Sequence, residues 1–101
     1  MGALFGDKVT LGQENGPEID LVAHGDEFYA RYETLEGFPV VYDDARGLFC
    51  YALLQEGRFI PSSVPAAEPP PTGAIRHARE TDSIRQEKAA AKEAARRPPG
   101  Q

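Results

Sequence analysis

The stretch GDEFYARYETLEGFPVVYDDARGLFCYALL, residues 25–54, decides the fold of this chain, because it holds seven of the nine aromatic residues and the single cysteine. Phe28, Ala30 and Tyr32 alternate with polar neighbours. This period of two is typical of a β-strand with one buried face. Gly37 follows where a tight reversal of the chain requires a positive φ angle. The stretch therefore predicts short strands joined by turns.

The same pattern extends to both sides of this stretch. Val9 and Leu11 alternate with polar residues before a turn at 14–17, and Ile19 and Leu21 alternate after it. The remaining β-branched and aromatic runs are 38–42, 48–54 and 58–60, separated by turn residues at 43–47 and 56–57. We therefore predict a mainly β fold, in which residues 1–61 form one antiparallel meander sheet of about six short strands.

The predicted core of this sheet is aromatic and β-branched. Its expected members are Phe28, Tyr32, Val40, Phe49 and Tyr51, which occupy the apolar positions of the central strands.

The second part of the chain differs in charge and in composition. Residues 1–71 hold 12 acidic and 4 basic residues, whereas residues 72–101 hold 4 acidic and 7 basic ones. The run of prolines within 62–81 favours an extended conformation and predicts a linker that acts as a spacer. Residues 82–97 predict an exposed, alanine-rich, charged helix, about 20 Å long, with residues 98–101 as a tail.

The start of this helix has a sequence signature. Ser83, followed three residues later by Gln86, matches a capping box, and Ile84 is the only large apolar residue of the helix. We therefore expect a solvated connector with no face that packs firmly on a core.

Composition excludes several classes of function. The net charge is −5, and no basic stretch is interleaved with aromatic residues, so we predict that the chain binds no nucleic acid. No apolar run is long enough to cross a membrane, and the N-terminus lacks a conventional signal peptide. The compartment therefore remains open between the cytoplasm and export by a route that reads no cleavable signal.

Two groups of polar residues are candidate sites. His24 with Asp26 and Glu27 would suit a metal or an acid–base pair, but three polar residues beside a glycine at a hairpin end are also typical of a plain turn. Asp43 and Asp44 lie before a glycine, yet they lack the regular oxygen-ligand spacing of a calcium loop, so we expect a turn there too.

The remaining candidates are a cysteine and a second histidine. Cys50 lies between two aromatic residues in the most apolar predicted strand, where a cysteine usually behaves as a small buried hydrophobe. His77 lies in the basic segment without a sequence partner, and we expect it to be solvated. Because no zinc-protease, phosphate-loop or nucleophile-elbow motif is present, we predict no enzyme activity, no cofactor and no metal.

Three motifs in fixed order carry a family resemblance. These are GDEFYARYET at 25–34, LEGFPVV at 35–41 and GLFCYA at 47–52. They resemble the segment that precedes the catalytic domain of immune-inhibitor-A-like zinc metalloproteases, and the likeness covers about residues 5–60. The chain departs from that pattern where Phe38 and Pro39 replace common tyrosine and threonine.

The resemblance implies an N-terminal pro- or accessory domain that shields a zinc protease or assists its folding. The family's zinc-ligand motif has no counterpart here. In a prodomain, His24, Asp26 and Glu27 are the residues expected to contact the protease, and the Asp26 carboxylate is the candidate ligand for its zinc. Alternatively, Asp26 caps a turn and inhibition comes from sheet-edge pairing across the protease cleft. The alternative is a detachable recruitment or export module that binds a partner protein. A His-Glu-x-x-His motif after residue 101 would distinguish the two, and the Pro-Pro-Gly-Gln ending predicts that the chain is the front of something longer.

Overall fold

The computed structural model describes residues 4–25 and 29–96. Within them, six strands form one antiparallel sheet whose spatial order follows the chain, so the predicted six-stranded meander is confirmed. One helix follows the sheet. The elements are β1 (Leu4–Gln13), β2 (Gly16–Gly25), β3 (Ala30–Glu33), β4 (Pro39–Asp43), β5 (Leu48–Gln55), β6 (Arg58–Pro65) and α1 (Asp82–Arg96).

The turn between β5 and β6 shows why the sequence reverses where it does. Glu56 and Gly57 both have positive φ angles, 52° and 80°, as a two-residue hairpin turn that matches strand twist requires. Gln55 and Arg58 close this turn as opposite partners in the ladder.

One face of the sheet carries the hydrophobic core. Directly opposite residues of an antiparallel pair share a face, so Tyr32 and Val40 lie on one side, as do Tyr42 and Phe49. The Phe49 ring packs edge-on against Tyr42, with ring centroids 5.0 Å apart, and against Tyr32 at 6.1 Å. The buried core cluster consists of Leu21, Val40, Phe49 and Tyr51.

The predicted core residues meet different outcomes. Val40, Phe49 and Tyr51 are buried as expected, and Tyr32 is partly buried against them. Phe28 lies outside the described residues.

The predicted linker is not a free spacer. Strand β6 continues to Pro65, past the boundary expected at residue 61. The Tyr51 hydroxyl then donates to the carbonyl oxygens of Ala66 and Glu68, at 3.2 and 2.6 Å. Proline-rich backbone leaves its carbonyl groups available as acceptors, and the sheet supplies the donor. The start of the segment 66–81 is therefore bonded to the sheet.

The helix α1 begins with a cap that differs from the predicted one. The Thr81 hydroxyl accepts from the Ile84 N–H at 3.4 Å, and the Thr81 carbonyl accepts from the Arg85 N–H at 2.9 Å. Thr81 is therefore the N-cap, and the prediction that Ser83 caps the helix was wrong. Most of α1 is exposed, as expected. Within the described ranges, no helix has the length and apolarity needed to cross a membrane.

Candidate functional site

A cleft lies between β3 and β4, where the sheet is incompletely paired. The two strands pair only at Tyr32 with Val40 and at Glu33 with Pro39. Beyond these pairs a cavity of about 420 Å³ opens between them, bordered by Ala30 on one side. Its aromatic walls are formed by Tyr29, Tyr32, Tyr42, Phe49 and Phe59.

The main chain of β4 presents hydrogen-bonding groups to this cleft. The Phe49 N–H donates to the Gln13 side-chain oxygen at 2.7 Å, and the Phe49 carbonyl accepts from the Ala66 N–H at 2.9 Å. Both polar groups of Phe49 therefore point away from β4. Because hydrogen-bonded and non-bonded pairs alternate along an antiparallel ladder, Tyr42, opposite Phe49, turns its own N–H and C=O toward β3.

On β3, Ala30 occupies the edge position that corresponds to Tyr42 on β4. If the pairing of Tyr32 with Val40 continued, Ala30 and Tyr42 would form the next hydrogen-bonded pair. Within residues 4–25 and 29–96 the ladder does not reach them. The cleft is therefore bounded by two strand edges that face each other without pairing.

Glu80 closes one side of the cleft. Its side chain is only 1% exposed, and it accepts hydrogen bonds from the Tyr29 hydroxyl, the Phe59 N–H and the Lys88 ammonium at 2.8, 2.7 and 2.6 Å. Burial is the strongest influence and opposes ionisation, but these hydrogen bonds together outweigh it and hold the pKa of Glu80 below its usual value. One carboxylate thus joins the linker, the residue before β3, strand β6 and helix α1.

The Tyr29 hydroxyl is suited to this role. Burial, followed by the hydrogen bond to Glu80, raises the pKa of Tyr29. The hydroxyl therefore stays protonated and donates to the carboxylate at neutral pH.

We expect Glu80 to stabilise the fold at neutral pH and to lose this effect in acid. Because its folded pKa is depressed, this contribution is present above the unfolded value of about 4.3 and is lost as the pH falls through the lower folded pKa. Urea unfolding of the wild-type chain and of Glu80→Gln, from about pH 7 to about pH 3, measures it. The difference in free energy of unfolding should shrink below about pH 4. A difference that stays constant across this range would contradict the assignment.

A second buried carboxylate, Glu33, lies at the paired end of the cleft. Its side chain is 2% exposed, and its Oε2 accepts from Arg31 Nη1 at 2.5 Å. Two imidazoles approach its Oε1: His24 Nε2 at 3.4 Å and His77 Nδ1 at 3.2 Å. A buried carboxylate requires such partners, since an unpaired charge in the interior is costly.

The Glu33 cluster includes the second histidine of the chain, His77. His77 is 69% exposed, but its ring contacts Glu33 and its backbone N–H donates to the Gly37 carbonyl at 2.8 Å. His77 is therefore exposed to solvent as expected, but it has partners that the sequence did not indicate. A Cβ at residue 37 would lie 2.8 Å from the His77 ring, and φ there is +98°, so glycine permits both the turn and this contact.

The predicted binding residues are only partly placed. His24 contacts Glu33, while Asp26 and Glu27 lie outside the described residues. Asp43 is a turn residue as predicted, because its Oδ1 accepts from the Ala45 N–H at 3.0 Å. Among the described side chains, no group of three or more His, Cys, Asp or Glu is arranged to hold a metal ion.

Cys50 is fully buried in β5, as its aromatic neighbours predicted. Burial is the main cause that raises the pKa of its thiol, and Asp43 adds to the effect while Arg46 opposes it. A protonated, inaccessible thiol is a poor nucleophile.

We therefore expect the native Cys50 thiol to react with DTNB at least about a hundredfold more slowly than the thiol of the urea-unfolded chain. Absorbance of the released thiolate measures both rates. Equal rates in the native and unfolded chains would contradict the burial of Cys50.

Sequence reasoning did not identify the two carboxylates that organise the site. Glu33 follows Arg31 on the polar side of a period-two pattern, which normally indicates a solvated face. Its only signal was the arginine two residues earlier. Glu80 lies in an irregular segment, and no sequence pattern indicated that its carboxylate is buried.

Comparison of the chain with protein-family models, with curated proteins and with solved structures found no match. The resemblance to the protease-associated segment stays a prediction.

Proposed function

We propose that this chain is a non-catalytic protein-binding module that takes an extended segment of a partner protein into the cleft between β3 and β4. The observation that carries the proposal is the pair of facing, unpaired strand edges at Ala30 and Tyr42. Exposed strand edges are templates for added strands, and backbone hydrogen bonds then supply affinity.

The size of the cleft suits a short extended segment. With a rise of about 3.3 Å, a strand spacing of about 4.8 Å and a sheet spacing of about 10 Å, one extended residue occupies about 160 Å³. A cavity of about 420 Å³ therefore holds about two to three such residues. The aromatic walls provide contact area for their side chains.

The state of the reactive side chains supports binding rather than catalysis. The thiol of Cys50 is buried and protonated at neutral pH, and the carboxylates of Glu33 and Glu80 are each held by a cation. A general base or nucleophile needs access to its substrate. The two carboxylates instead hold cationic residues that line the cleft.

A second candidate function is the pro- or accessory domain of an immune-inhibitor-A-like protease. The motifs at 25–34, 35–41 and 47–52 favour it, and the partner would then be a following or cognate protease domain. Inhibition of that protease by the purified chain, and by folded Asp26→Ala, tests this function and the proposed zinc ligand. No inhibition by either would remove it, and equal inhibition by both would remove Asp26 from the mechanism.

Selection of binders from a random heptapeptide library, followed by NMR mapping, tests the binding function. We expect selected peptides to shift the amide signals of Ala30, Arg31, Val41 and Tyr42. The variant Ala30→Trp fills the cavity and should abolish binding. Ala45→Trp places the same ring on an exposed turn and should bind like the wild-type chain.

Two results would overturn this function. One is the absence of any enriched peptide. The other is binding that survives Ala30→Trp in a variant whose amide spectrum shows that it is folded.

A further inference from the structure

We infer that the segment bound in the cleft is acidic, an inference that rests on the proposed binding function. Three cationic side chains line the cavity: Arg31, Lys88 and Lys92. Two of them are neutralised inside the protein. Arg31 pairs with Glu33 at 2.5 Å, and Lys88 pairs with Glu80 at 2.6 Å.

Lys92 is the cation that remains. Within residues 6–25 and 29–95, no carboxylate lies within ion-pair distance of its ammonium group. A partner that covers the cleft removes water from this ammonium. An acidic side chain compensates for that loss, whereas a neutral or basic one leaves the charge unpaired.

The sheet geometry places the acidic residue within the bound segment. Alternate residues of a strand point to opposite faces. Tyr32 and Tyr42 lie on the core face, so every second side chain of the bound segment meets aromatic rings there. The side chains between them point to the opposite face, the side on which Arg31, Val41 and the lysines of α1 line the cleft. The expected pattern is apolar, acidic, apolar.

The charge distribution of the chain agrees with this assignment. Although the chain as a whole carries a net charge of −5, residues 72–101, which supply Lys92, hold 7 basic and 4 acidic residues. The excess of positive charge therefore lies in the part of the chain that supplies α1.

The test repeats the heptapeptide selection on three proteins: the wild-type chain, Lys92→Glu and Lys8→Glu. Lys8 pairs with Asp20 on the exposed surface of β1 and does not line the cavity, so it is the matched control. We expect Asp or Glu to be enriched with the wild-type chain and with Lys8→Glu. With Lys92→Glu this enrichment should disappear or change to Lys and Arg.

Affinity measurements on one selected peptide complete the test. Replacing its acidic residue with the neutral amide should weaken binding to the wild-type chain about three- to fivefold and leave binding to Lys92→Gln unchanged. Peptides that shift the cleft amides with no acidic preference would overturn this inference and leave the binding function intact. A library that yields no cleft-bound peptide would overturn both.

Discussion

Replacing Phe49 with alanine is expected to lower the free energy of unfolding by about 3–5 kcal/mol. The ring is buried and contacts Tyr32 and Tyr42 edge-on, so its removal leaves a cavity and ends two aromatic contacts. Small domains have a total stability of about 5–15 kcal/mol. The variant should therefore be partly or wholly unfolded, which urea titration and circular dichroism would measure.

Leu35→Ala is the matched control for Phe49→Ala. Leu35 is 59% exposed at the turn between β3 and β4, and its truncation should change the free energy of unfolding by less than about 0.5 kcal/mol. If the two variants were equally stable, Phe49 would not belong to the core.

Replacing Glu33 with alanine should cost about 3–5 kcal/mol, because it leaves the nearly buried Arg31 guanidinium without its carboxylate. It also removes the acceptor that the rings of His24 and His77 share. Glu36→Ala, an exposed carboxylate in the neighbouring turn, is the control and should cost little. Chemical denaturation of both variants measures the difference.

The double variant Arg31→Met with Glu33→Leu separates an unpaired charge from a loss of packing. It should recover a substantial part of the stability lost in Glu33→Ala, since neither charge then remains buried alone. A cost below about 1 kcal/mol for Glu33→Ala would show that the carboxylate is not buried among these partners.

The sheet could be predicted because its signals are local. Alternation of side chains along a strand and glycines at turns both act within a few residues, as Gly37 and the Glu56-Gly57 turn show. The meander order follows from short connections, because each strand pairs with the one before it. These local rules also place Val40, Phe49 and Tyr51 in the core.

The site could not be predicted because it depends on what covers the polar face of the sheet. The alternation of Arg31 and Glu33 with apolar residues indicates a solvated face, yet Glu33 is buried. The burial is produced by residues far along the chain, since His77 contacts Glu33 across 44 positions. A linker rich in proline gives no local sign that it will return to the sheet.

The cleft itself is also a non-local feature. The sequence of β3 and of β4 predicts a strand over the full length of each. No residue in either segment indicates that the pairing ends at Tyr32 and Val40. Where two strands separate is decided by sheet twist and by packing of the neighbouring elements. Lys88 and Lys92 reach the cleft from a helix that sequence reasoning treated as a connector.

Amide hydrogen exchange at Tyr42 and Val40 in the free chain tests the central claim most directly. Both amides point toward β3, but only Val40 lies opposite a paired residue there. An open cleft predicts that the Tyr42 N–H exchanges at least about a hundredfold faster than the Val40 N–H, and that a bound peptide slows it. Equal protection of the two amides in the free chain would mean that β3 and β4 are paired throughout, and it would contradict the existence of the cleft.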